Sequence, residues 1–263
     1  MSDGIPLSLG PSLRSWIIKT LERGGDVVHL VAASLNHRLD IGELSFMKSP
    51  GEQLADYADI EDDHLLDVLD ATLHFLHRTG YDESQRQALS DLLDAGYAGW
   101  SVGERPYGLQ KRVDEVAFAD FKKSTSPADE ASAALAEAWD KAYGLHPDAA
   151  DAWDHSIKAV EAILRPIAVP NKDKATLSDI AGAFLSNHKL VLHVGNEDAD
   201  AKRKQPLNAA RTLEQMLRLM WPDPKRHGGD QRPAPTLEQA RGVVHLAVLV
   251  VQWGRLGALV LTP

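Results

Sequence analysis

Residues 62–78 read DDHLLDVLDATLHFLHR, and this run decides the fold class. Leu65, Leu66, Leu69, Leu73 and Leu76 fall on one face when each residue advances by about 100°. That period belongs to a helix with one buried side, and Gly80 follows as its stop. The same periodicity recurs on both sides. Between Ser12 and Leu39, the apolar residues Trp16, Ile17, Leu21, Val27, Val28, Val31 and Leu35 are broken at Gly24-Gly25, which predicts a helix, a turn and a second helix. Another helix is read over Ser84–Asp94. Asp40–Ile60 is acidic and holds Ser49-Pro50-Gly51, so it reads as a loop with a partial turn of helix. Gly96–Val113 changes character. Trp100 and Val102, then Leu109, Lys111 and Val113, alternate around Gly103, Pro106 and Gly108, which predicts a small β-hairpin.

Further along, Ser126-Pro127-Ala128-Asp129 offers an N-cap and a proline at N1 for a helix carrying Leu135, Trp139 and Tyr143. Four more helices follow. Ala150–Leu164 places Trp153, Ile157, Val160 and Leu164 on one stripe, closed by Pro166 and Pro170. A short helix starts at Thr176 with Asp179 as its capping partner and carries Ile180, Phe184 and Leu185. Leu207–Trp221 carries Leu213, Met216, Leu217 and Met220. The last begins at Thr236 with Gln239 in a capping box and is apolar almost all round from Val243 to Val251. His245, Gln252 and Arg255 interrupt the run from Gly242 to Leu261, so it reads as a buried central helix or a dimer face, not a membrane span. The fold class is therefore mainly α. Residues 1–125 form an acidic, mostly helical region with one hairpin near 96–113, and 126–263 form a helical bundle.

The 263 residues include no cysteine, which excludes disulfide scaffolds, thiol catalysis and thiolate zinc sites. Met1–Pro11 has no basic segment followed by an apolar one, so no export signal is read and a cytoplasmic location is expected. The net charge of −10 argues at first against a nucleic-acid partner. Divided at residue 150, it becomes −13 (26 acids, 13 bases) and +3 (12 acids, 15 bases). A polyanion would bind the second part, and the acidic first part suits a protein partner.

Two constellations could carry chemistry. On the wet face of 62–78, Asp67, Asp70, His74 and His77 follow i, i+3, i+7, i+10 spacing, which suits either a zinc or manganese site or an ordinary solvated face. No metal or cofactor is assigned to it. The second is Lys225-Arg226-His227-Gly228-Gly229-Asp230, between the last two helices. Histidine titrates near neutrality and moves protons, and arginine offers paired donors to a phosphate whose charge is growing. The competing reading is a sharp turn built by Pro222-Asp223-Pro224 and the two glycines, with solvated charges. Lys158 and Glu161, three apart, read as an ion pair on a solvated face or as reaching that loop. His245 reads as a hydrogen-bonded core histidine. No Walker loop, dinucleotide fingerprint or Gly-x-Ser-x-Gly elbow is present.

From about Trp139 to Trp253 the chain resembles the C-terminal domain of bacterial and phage abortive-infection-type proteins, within the HEPN superfamily. The matching pieces are Ala152–Glu161, the Arg-His-Gly-Gly loop after a Leu-rich helix, and the apolar helix after Pro235–Ala240. Residues Gly108–Asp114 are similar to what often precedes such domains. The resemblance implies a four-helix bundle, usually dimeric, whose active members cut RNA without a metal through an arginine a few residues before a histidine. His227 matches that histidine. The arginine departs from the pattern: Arg218 lies nine positions upstream, Arg226 is adjacent, and Leu219–Lys225 holds none. The function implied is a metal-independent endoribonuclease of phage-defence type. His227 would be acid or base, Arg226 and Arg218 would stabilise the phosphorane, and RNA and a second copy would be the partners. The alternative is a non-catalytic dimeric binding or regulatory module. A third reading is a metal-dependent hydrolase built on Asp70, His74 and His77.

Overall fold

The helical period is realised in most of the described residues. Among the described residues the chain forms eleven α-helices, one 3₁₀ turn and four three-residue strands. The structure is a computed structural model that describes residues 5–37, 39, 48–59, 62–78, 83–103, 108–186, 190–193, 209–221 and 234–261. It divides into two compact units, Met1–Arg112 with Tyr143–Leu145, and Val113–Ala142 with His146–Pro263. The division thus falls at Arg112/Val113, upstream of the 125/126 boundary read from the sequence.

In the first unit the 3₁₀ turn Leu7–Leu9 leads into α1 (Gly10–Arg23) and α2 (Val27–Ser34). Gly25, at φ 56°, supplies the left-handed residue between these helices. The segment read as a loop contains a full helix, α3 (Pro50–Ala58). The Ser49 side chain accepts from the Glu52 amide at 3.2 Å, and the Glu52 carboxylate accepts from the Ser49 amide at 2.6 Å. That capping box outweighs the turn propensity of Pro50-Gly51, because proline at N1 costs the helix nothing. Next come α4 (Asp62–Arg78) and α5 (Glu83–Ala95). Leu13, Ile17, Leu21, Leu54, Leu69, Leu73, Leu89 and Leu93 are buried together, each side chain stabilising the unit by about 1.5–3 kcal/mol relative to exposure. The hairpin appears where alternation predicts it: β1 (Trp100–Val102) pairs antiparallel with β2 (Leu109–Lys111), Trp100 opposite Lys111.

The second unit begins with a helix the sequence reading did not contain, α6 (Glu115–Thr125), whose N-cap Asp114 accepts from Val116 and Ala117. Next is α7 (Glu130–Tyr143), which starts later than Ser126. Asp129 accepts from the Ser132 amide at 2.8 Å and caps it. The four expected helices follow: α8 (Ala149–Ala168), α9 (Leu177–Ser186), α10 (Ala209–Met220) and α11 (Leu237–Arg255). α8 passes through Pro166, which is exposed, and ends at Ala168 instead of closing before the proline. α11 packs most extensively on α8, α9 packs on α10 and α8, and α6 packs on α11. At Gly254 the approach to α8 is so close that a Cβ would lie 2.7 Å from Ile163 Cγ1. α11 buries Ala240, Val243, Val244, Ala247, Val248, Val250 and Val251, and no described helix is long and apolar enough to cross a membrane. A second sheet was not legible: β3 (Leu190–Leu192) pairs antiparallel with β4 (Leu259–Leu261).

Candidate functional site

The end of α10 is the described part of the loop constellation. Lys225–Asp230, with Arg226 and His227, lies outside the described residues, as does the basic stretch 196–205. Leu213, Leu217 and Met220 turn inward and are buried. The Met220 carbonyl accepts a 2.8 Å hydrogen bond from Trp153 Nε1 of α8, which fixes the last turn of α10. Arg218 stands in that turn with its side chain 58% exposed, and its Nε donates to Glu214 Oε1 one turn earlier. Glu214 is the unusual member, a carboxylate only 4% exposed on the otherwise apolar face of the helix. Beyond the undescribed connection, α11 opens with the predicted capping box: Thr236 accepts from the Gln239 amide at 3.3 Å, and the Gln239 side chain accepts from the Thr236 amide at 3.0 Å.

The pair expected on α8 is arranged differently. Lys158 bonds Asp154 at 2.6 Å, and Glu161 is buried, not solvated. Its Oε1 accepts from the Leu177 amide at 2.7 Å, serving the N-terminus of α9. At the same terminus Asp179 accepts from the Thr176 amide at 2.9 Å and meets Lys172 at 2.7 Å. The Lys172 hydrogen bond holds the Asp179 carboxyl below the usual carboxylate range. His245 corrects another expectation. It is exposed, with its ring 5.8 Å from that of Trp139 and nearly perpendicular to it, and partial desolvation lowers its pKa from 6.5. Trp139 itself stacks on Phe121 at 4.2 Å, so these rings tie α6 and α7 to α11.

The metal reading of α4 does not survive. Asp70 Oδ1 accepts from the Leu109 amide at 2.6 Å, and a Cβ at Gly108 would lie 2.7 Å from the same oxygen. The carboxylate is thus the anchor of β2. His74 packs against Phe75 at 5.0 Å, and among the described residues no group of three or more His, Asp or Glu could hold a metal.

Charge also redistributes. Counted by compact unit, the first has 18 acids and 10 bases, net −8, and the second 20 acids and 18 bases, net −2. The +3 of residues 151–263 is outweighed once 113–142, with seven acids and three bases, joins the same unit. Two residues that matter here were not singled out in the sequence. Glu214 was visible as a charge inside the stripe Leu213, Leu217, Met220. Trp153 was assigned to the core without its donor role. Comparison with known protein families, curated proteins and solved structures finds no match.

Proposed function

We propose that the second unit is a HEPN-like endoribonuclease that cleaves RNA without a metal and works as a homodimer in a defence setting. His227 moves the proton between the attacking 2′-hydroxyl and the leaving oxygen, and Arg226 and Arg218 offset the charge that develops on the phosphorane. What supports the reading is Arg218. Its guanidinium is held at the surface in the last turn of α10, at the root of the segment that carries Arg226 and His227. A helix end pinned by Trp153 suits a group that must meet a phosphate in one orientation.

The test is incubation of the full chain with structured and unstructured RNAs in EDTA, beside His227→Ala. Cleavage that persists in EDTA and falls by about 10²–10⁴-fold in the variant is the expected result. A second reading, a dimeric binding module without chemistry, is favoured by the net charge of −2, which supplies little attraction for a polyanion. Wild-type protein that leaves every RNA intact supports that reading and overturns the first.

A further inference from the structure

Among the described residues the carboxylate of Glu214 is bonded by Arg218 alone. It stands 4% exposed between Leu213 and Leu217, on the buried face of α10. Burying a carboxylate is unfavourable unless a partner compensates, and an apolar residue of similar size at such a position is commonly neutral or stabilising. Its partner is Arg218, bound through Nε alone. Among the described residues the two Nη groups of Arg218 take no acceptor, and the side chain is 58% exposed. A guanidinium held at Nε keeps its Nη1/Nη2 edge available, and that edge matches two oxygens of a phosphate. The last turn that carries it is locked at Met220 by Trp153.

We propose that Glu214 is a positioning residue: it fixes Arg218 by Nε so that the Nη edge faces outward to receive an RNA phosphodiester. The proposal rests on the ribonuclease reading above and adds a residue to it. An anchored fork loses less freedom on binding than a free arginine side chain does. Lysine at 218 would keep the charge and lose both the Nε anchor and the fork.

Two measurements on the full-length chain test it. In protein labelled with ¹⁵N-arginine, the Arg218 Nε–Hε proton exchanges slowly in the wild type and quickly in Glu214→Leu, with Glu214→Gln between them. Binding of a fluorescein-labelled single-stranded RNA of about 20 nucleotides, followed by anisotropy, weakens roughly tenfold in Arg218→Ala, Arg218→Lys and Glu214→Leu alike, about 1.4 kcal/mol. The double variant Glu214→Leu/Arg218→Ala binds no more weakly than either single one, because both remove the same interaction. Glu214→Leu melts at or above the wild-type temperature, so its loss of binding is not loss of fold. Equal exchange rates in wild type and Glu214→Leu overturn the proposal, and so do losses that multiply in the double variant. RNA binding and cleavage retained in Glu214→Leu removes the role of Glu214 and leaves the ribonuclease reading intact. Wild-type protein that neither binds nor cleaves RNA removes both.

Discussion

The two units are built on different terms. Among the described residues of the first, the buried polar side chains are Thr20 and Thr72, both neutral, and ion pairs form at the surface. Arg14 reaches Asp56 and Asp59, Lys48 reaches Asp56, and Arg112 reaches Asp94. Among the described residues of the second, two carboxylates, Glu161 and Glu214, are buried, as are Ser124, Ser132 and Ser156. One serves a helix terminus and the other accepts from the exposed Arg218. An apolar core with surface ion pairs explains a stable scaffold. A buried acid bonded to an exposed base needs a further reason, which the proposed positioning of Arg218 would supply.

That contrast can be broken by substitution. The largest effect is expected in the apolar core of the first unit, where Leu69→Ala should lower stability by about 2–5 kcal/mol, measured by urea denaturation. A smaller loss would mean that the α4 interior is loosely packed. Gly254→Ala should destabilise the second unit by about 1–3 kcal/mol, because its Cβ meets Ile163, and Ile163→Ala in the same chain should recover part of the loss. Additive losses in that pair would place the strain elsewhere. Glu161→Ala should also lower stability by about 1–3 kcal/mol by stranding the buried Leu177 amide, with Glu161→Gln milder.

A gain is expected at Tyr97, which is 76% exposed and adopts φ 52° where glycine is ordinarily preferred. The neighbouring Gly96 serves another purpose, since its Cβ would lie 2.2 Å from Leu9. Tyr97→Gly should therefore stabilise by about 0.5–1 kcal/mol, the left-handed strain less the added freedom of the unfolded chain. A lower melting temperature would show that the tyrosine packs on its surroundings. The smallest effect is in pH. The folded pKa of His245 lies below its ordinary 6.5, so the unfolded chain binds the proton more readily. The contribution is fully present above pH 6.5 and is lost as pH falls toward the lowered value. A melting series between pH 5 and 7 should be flatter in His245→Phe, and an unchanged slope would assign the effect to another group.

Elements whose signal is local were legible in the sequence. The stripe in 62–78 gave α4 at its observed bounds, and the capping box at Thr236 gave the start of α11. The equivalent box at Ser49 was missed because acids and Pro50-Gly51 suggested a turn. α6 was missed because Asp114, its cap, stood at the end of the hairpin signal. β3 and β4 lay beyond reach, since three-residue strands have no period and their pairing is remote in the chain. The site shows the same limit. Residue types single out the connection between α10 and α11, which lies outside the described residues, while the bond from Trp153 to Met220 joins residues 67 apart. The reading of Asp70 as a ligand failed because its partner is a backbone amide, which residue types do not announce.

One feature of the chain path bears on how the protein is made. Tyr143–Leu145 belongs to the first unit although both its flanks belong to the second, and Gly144 forms an antiparallel bridge with Gln110. A ribosome that has released residues 1–112 has therefore not yet delivered all of the first unit, and α6 and all of α7 but its last residue must emerge before the missing piece does. Growth of the nascent chain is thus obliged to begin its second body before it can finish its first.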